Sequence, residues 1–163
     1  MLTDDLDNYI KEKFKLIYAI SMIYQTYLIG GAIRDIMLNK TPRDLDFVIS
    51  SNDFVEVDSY IKKFIYKYNL SYTLNHFNGY KILYKGIEID LWYTKDLFDS
   101  IEYNGDGLLY DIEHHQLISL TFDDFLINGP RIVNKTVDMN NKSNERLLKL
   151  QKFHEELKSK GMW

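Results

Sequence analysis

Tyr-Leu-Ile-Gly-Gly-Ala-Ile-Arg-Asp opens at Tyr27, and Ile-Met-Leu-Asn-Lys-Thr-Pro-Arg carries the chain on to Asp-Leu-Asp-Phe-Val-Ile, which closes at Ile49. An apolar strand runs into a glycine pair, a short helix follows, and a loop delivers two aspartates one residue apart onto a second apolar strand. Side chains at i and i+2 of a strand share a face, so Asp44 and Asp46 point together while Leu45 and Phe47 point away. Two carboxylates on one face, close to a glycine turn that can approach phosphates, are what a metal-dependent nucleotide-transfer site needs.

The rest of the chain reads as one α+β domain, a small mixed or antiparallel sheet flanked by helices. Thr3 is expected to cap a first helix in which Leu6, Ile10, Phe14 and Ile17 recur at helical spacing. Strand one spans Tyr27 to Ile29, and a short helix spans Ala32 to Leu38. Asp53 is expected to cap a helix through Tyr68, with Val57, Ile61, Phe64 and Tyr68 along one stripe. Strands follow at Ser71–Leu74, Tyr80–Tyr84 and Ile87–Tyr93, the last two joined by a tight turn at Lys85-Gly86. Thr121 opens a brief helix through Ile127, which Gly129-Pro130 stops, and Ser143 caps a final helix carrying Leu147, Leu150, Phe153 and Leu157.

Composition narrows the classes. With 163 residues, 45% of them hydrophobic, the chain can fill a single core. No apolar run approaches the ~20 residues of a membrane span, and the N-terminus is acidic rather than signal-like, so no membrane partner is expected. Cysteine is absent, which excludes a disulfide framework and thiolate chemistry and is compatible with a cytoplasmic location. The net charge of −4 means that any contact with a polynucleotide is local, because extended contact along phosphates needs a basic surface. His76, His114, His115 and His154 show no zinc-like spacing.

The segment from Tyr27 to Ile49 resembles the head domain of tRNA nucleotidyltransferases and bacterial-type poly(A) polymerases, within the polymerase beta-like nucleotidyltransferase superfamily. Gly30, Gly31, Arg34, Asp35, Asp44 and Asp46 stand where that family carries its Gly-Gly-x-x-Arg-Asp and Asp-x-Asp signature, and Pro42-Arg43 precedes the first aspartate as is common there. The combination, in order and with the right spacer, is far more specific than either half. The resemblance implies a third carboxylate on an adjacent strand, and Asp90 occupies the matching place, with Glu88 as its outer neighbour. By alternation alone, Glu88 and Asp90 share one face of their strand, which is equally the pattern of a solvated edge hairpin.

The implied chemistry is two-metal nucleotidyl transfer from a nucleoside triphosphate, ATP or CTP. Asp44, Asp46 and Asp90 would hold Mg²⁺ or Mn²⁺, since hard oxygen donors suit those ions. Gly30 and Gly31 would offer amides to phosphate at the positive end of the following helix, where a Cβ would hold the ligand off. Arg34 and Arg43 could contact phosphate, with Asp35 bracing Arg34; a surface ion pair and a solvated arginine account for them equally. Further on, the family carries an Arg-Arg-Asp-Phe-Thr-x-Asn-Ala segment that helps to bind the ribose. Here Tyr103 to Asp111 lacks the arginine pair, though its Leu-Leu-Tyr-Asp ending resembles the family's Leu-Ala-Tyr-Asp. Asn104 or Asp106 could meet a ribose hydroxyl, or simply form a turn.

Arg146, Lys149, Lys152 and Phe153 follow the family's Arg-x-x-Arg-x-x-Arg-Phe pattern, with lysine replacing two arginines, on a helical face that either lines the triphosphate side of the cleft or is solvated. Family enzymes continue into neck, body and tail domains, so the whole of 1–163 is expected to be one catalytic domain without them. The acceptor that the resemblance implies is an RNA 3′ end, that of tRNA, held in part by the cationic face, which a homodimer could share. The alternatives are nucleotidylation of a small molecule or protein, and a non-catalytic nucleotide-binding relative.

Overall fold

A computed structural model describes residues 1–74, 79–134 and 141–161, with the side chains of 141–143 left aside. Its helices are α1 (Leu2–Phe14), α2 (Ile17–Ser21), α3 (Gly31–Met37), α4 (Phe54–Lys67), α5 (Phe122–Asn128) and α6 (Asn141–Ser159). Its strands are β1 (Gln25–Ile29), β2 (Asp44–Ser50), β3 (Ser71–Leu74), β4 (Tyr80–Tyr84), β5 (Ile87–Thr94), β6 (Leu108–Asp111) and β7 (Gln116–Ser119). They form one seven-stranded sheet in the order β3-β4-β5-β2-β1-β6-β7. Among the described residues only β2 and β5 run parallel, and the other strand pairings are antiparallel. The expected α+β class with a mixed sheet is thus what the chain adopts.

Alternation decides the two faces. Leu28, Leu45, Phe47, Ile49, Ile89 and Leu91 enter the main core, where Leu6, Ile10, Phe14 and Ile17 of the first two helices and Val57, Ile61 and Phe64 of α4 cover them. Their neighbours Asp44, Asp46, Glu88, Asp90 and Trp92 are left to the other face. Part of that face is covered by a small cluster of Tyr27, Ile29, Val48, Ile101 and Leu109. A third cluster docks α6 beside it through Leu150, Phe153 and Leu157, with Phe153 stacked on Phe125 at 5.8 Å between ring centroids. The sheet is therefore closed on one side and open above the carboxylates on the other.

Local signals act as the residue types require. Asp53 accepts a hydrogen bond from the Glu56 amide at 3.0 Å and caps α4. Lys85 and Gly86 both have positive φ, 49° and 83°, the backbone of a tight hairpin turn whose twist matches its strands. Two expectations need correction. Thr3 is no cap, because α1 already includes Leu2 and has no side-chain cap bond. Ile87–Thr94 lies between β4 and β2, the neighbour relation that the resemblance implies for Asp90, and is not the edge strand that alternation alone leaves open. Leu108–Asp111, for which the sequence reading names no element, is a strand paired with β1, and β7 extends the sheet beyond it. His76 and the side chain of Ser143 lie outside the described residues.

Candidate active site

The parallel pairing of β2 with β5 sets Asp46 directly beside Asp90 and Asp44 beside Glu88. On the other side of β2, Ile29 pairs with Asp46, so the turn that follows β1 arrives at the same carboxylate. Gly30 makes that turn with φ +88°, a backbone that L side chains rarely adopt, and a Cβ there would stand 3.3 Å from Asp46 Oδ2. Glycine is thus required twice over at position 30. At Gly31 a Cβ would meet only Arg34 Nη2 at 3.6 Å, an ordinary contact, so the close approach is a property of the first glycine alone.

Crowding of acids shapes the electrostatics. Burial, then the Asp44 and Asp90 charges, hold the Asp46 carboxyl well above its ordinary range, with Arg34 opposing. Asp44 is also raised, by burial and then by Asp90 and Glu88. Asp90 Oδ1 is buried without a hydrogen-bond donor. An orphaned carboxylate oxygen beside a second carboxylate is costly as it stands and suits a hard divalent cation that would take its other ligands from water and phosphate. Among the described residues no three His, Cys, Asp or Glu side chains are gathered as a ready-made metal cage. Asp44 shares the face but is absent from the lining of the cleft, so Asp46 and Asp90 are the pair whose surroundings fit such an ion.

Above these residues lies an open cleft of about 630 Å³. Gly30, Gly31 and Arg34 form one wall, and Arg146, Lys149 and Leu150 of α6 form another. Arg34 Nη1 bonds Asp106 Oδ1 at 2.7 Å and the Gly105 carbonyl at 3.3 Å, so its partner is Asp106 and not the adjacent Asp35. Arg146 bonds Glu102 at 2.8 Å. Lys152 is exposed and outside the lining, because a three-residue step falls about 60° short of a full helical turn and carries the third cation off the face. Arg43 is likewise exposed and apart from the cleft.

Asn104 needs the clearest correction. It is fully buried, and its amide nitrogen donates to Asp124 Oδ2 at 2.8 Å and to the Gly129 carbonyl at 2.9 Å. Its side-chain oxygen accepts from the Arg131 amide at 2.9 Å. With its capacity spent inside the protein, Asn104 ties two loops together and presents nothing to a ribose. Asp106, two residues on, is the member of that segment that lines the cleft.

Several lining residues have no counterpart in the sequence motifs. Lys81 pairs across the sheet with Asp90, and its place was accessible from alternation, since Tyr80 and Ile82 on either side are buried. Trp92 follows Asp90 by two residues on the same face, and its Nε1 donates to Ser100 Oγ at 3.1 Å. Asp99 and Glu102 belong to an acid-rich run after β5 whose return to the cleft no local pattern announces.

The family model described as the poly A polymerase head domain matches residues 26–90, about two fifths of the chain. A sequence comparison with curated proteins finds no match. A solved tRNA nucleotidyltransferase, complexed with a primer tRNA and an incoming ATP analog, aligns with a TM-score of 0.52 at 17% identity, over 67% of this chain and 35% of that one. The Thermotoga maritima CCA-adding enzyme complexed with tRNA gives 0.53 at 20% identity, over 78% and 32%. A tRNA-processing enzyme in an apo form gives 0.55 at 16% identity, over 88% and 47%. At these identities the likeness is one of fold, and the chain spans about a third to a half of the length of those proteins. No helix among the described residues is long and apolar enough to cross a membrane. Residues 26–90 thus match the poly A polymerase head domain, in a chain whose fold is shared with part of the tRNA nucleotidyltransferases.

Proposed function

We propose that this protein is a nucleotidyltransferase that moves a nucleoside monophosphate from a nucleoside triphosphate to an acceptor hydroxyl, with an RNA 3′ end as the acceptor. One observation carries the reading: Asp46 and Asp90 stand side by side on parallel strands and line the cleft, with the Gly30 backbone against Asp46 and one Asp90 oxygen buried without a hydrogen-bond partner. Asp46 and Asp90 would hold Mg²⁺ or Mn²⁺, and Asp44 would add its negative charge from one pleat away. A divalent ion bound there supplies neutralisation of phosphate oxygens and a lower pKa for an attacking hydroxyl.

The protein's own residues do the rest. Gly30 keeps the turn free of side-chain bulk, so phosphate can reach backbone amides. Arg34 of α3 and Lys149 of α6 both line the cleft and would offer cationic contacts that hold the polyphosphate with its α-phosphorus toward the carboxylates. The solved relatives were captured with an ATP analog, tRNA, ATP or CTP, and this supports ATP or CTP as the donor and tRNA as the acceptor.

A second reading, transfer to a small molecule or a protein, is favoured by the net charge of −4 and by Asp99, Glu102 and Asp106 along the cleft. One experiment separates them. The protein is incubated with each α-labelled triphosphate, Mg²⁺ and a cell extract, and the RNA, protein and metabolite fractions are then counted. Label in RNA supports the proposal, label confined to another fraction supports the second reading, and label in none overturns both.

A further inference from the structure

Arg34 is held on one edge by two hydrogen bonds. Nη1 takes two bonds, to Asp106 Oδ1 at 2.7 Å and to the Gly105 carbonyl at 3.3 Å. The ion pair is largely screened from solvent, with both side chains less than a quarter exposed. Nη2 lies 3.6 Å from where a Gly31 Cβ would be, at the mouth of the glycine turn, and among the described residues it takes no hydrogen bond.

The turn that carries Asp106 is itself built not to move. Asn104 anchors it from below with three side-chain bonds. A Cβ on Gly105 would come within 2.7 Å of Leu150 and 3.2 Å of Phe125, so that glycine is packed tightly under α5 and α6. A Cβ on Gly107 would fall 1.8 Å from Thr121 Oγ1, which itself donates to the Asn104 carbonyl at 2.8 Å. Asp106 therefore stands between two glycines that leave no room for displacement. A carboxylate that merely neutralised Arg34 until an anion arrived would sit on a segment free to swing aside, and this one does not.

We infer that Asp106 is a positioning residue: with the Gly105 carbonyl it locks one edge of the Arg34 guanidinium, so that the other edge is preset at the glycine turn for a phosphate of the bound polyphosphate. The inference rests on the nucleotide reading above and adds the part played by Asp106. The planar guanidinium is what makes it work, because fixing Nη1 also fixes Nη2, whereas a lysine held by the same carboxylate would have no second donor in a defined place.

Calorimetric titration with Mg·ATP and, separately, with Mg²⁺ and inorganic tripolyphosphate tests this. Asp106→Asn is expected to weaken both ligands about tenfold, the scale of one charge-assisted hydrogen bond to phosphate. Placed on an Arg34→Gln background, Asp106→Asn is expected to add nothing, a pattern that general loosening of the fold would not give. Arg34→Lys, which keeps the charge and removes the fork, serves as the second variant should Asp106→Asn fail to fold, and the same tenfold weakening is expected. Tighter binding by Asp106→Asn would make Asp106 a competitor and overturn the inference. An undiminished effect of Asp106→Asn on the Arg34→Gln background, or full affinity in Arg34→Lys, would overturn it too. Those results leave the nucleotide site standing if the unaltered protein binds Mg·ATP; if it binds neither ligand, the site and the inference fall together.

Discussion

Replacing Asp46 with asparagine should make the metal-free protein more stable while removing its capacity to bind a nucleotide with Mg²⁺. Asp46 lies beside Asp90 in the parallel register, and strands so paired stand about 5 Å apart. Two unit charges at that distance repel by about 3 kcal/mol at an effective dielectric constant of ~20. Both residues are only half-buried and salt screens them, so a realistic gain on removing one charge is about 1–2 kcal/mol. For a chain of this size that raises the thermal midpoint by about 2–6 °C. The assay is thermal unfolding in a metal chelator, repeated with Mg²⁺. Added Mg²⁺ should stabilise the unaltered protein by about 1.4 kcal/mol at ten times its dissociation constant, and Asp46→Asn by much less. An unchanged or lower midpoint for Asp46→Asn without metal would refute the reasoning, because it would mean that the two carboxylates do not strain the apo fold.

Acid should first stabilise the protein and then destabilise it. Asp46 and Asp44 are raised, so the folded state keeps their protons where the unfolded chain has lost them; stability grows as pH falls from neutral through their folded values and the gain is complete below the ordinary 3.8. In Asp7 and Asp58 hydrogen bonds from Lys11 and Tyr18, and from Tyr80 and Lys62, outweigh burial, and Asp124 is lowered by Asn104 and Asn128; their contribution, present above 3.8, is lost as pH falls below it. Urea titrations across the acid range should show this maximum, and Asp46→Asn should flatten its rising side. Gly30→Ala should cost about 2 kcal/mol of stability through its positive φ and should abolish nucleotide binding through the contact with Asp46, checked by urea unfolding and calorimetry. Asn104→Ala should cost about 3 kcal/mol by leaving the Gly129 and Arg131 backbone groups unpaired, yet leave affinity for nucleotide within a few-fold where the protein remains folded.

How much of this could be read from the chain depends on the range of the interaction. Local rules carried far: Asp53 as a cap needs only the Glu56 amide, and the Lys85-Gly86 turn needs only its own backbone. Alternation places Asp44 with Asp46, and Glu88 with Asp90, each pair on one face of its own strand, because the period of a strand does not depend on its partner. It cannot say that β5 lies next to β2; only the family resemblance implies that neighbour relation, which turns three scattered aspartates into a charged floor. Strands β6 and β7 have no counterpart among the expectations because neither alternates: β6 is buried at three of its four positions and β7 is exposed or half-exposed throughout. Asn104 does a task its local sequence does not announce for a related reason: its partners at Asp124, Gly129 and Arg131 are distant in sequence, so a buried tie has the local pattern of a polar turn. Arg34 and Asp106 meet across 72 residues, beyond any helical or strand period.

The central claim is that Asp46 and Asp90 form the floor of a nucleotidyl-transfer site. Its most direct test is a single-turnover reaction with α-labelled ATP or CTP, Mg²⁺ and tRNA lacking its 3′ end, following label in RNA together with released pyrophosphate. Matched appearance of both products is expected with the unaltered protein, and neither with Asp46→Asn or Asp90→Asn at equal folded concentration. Transfer that persists undiminished in both variants would contradict it.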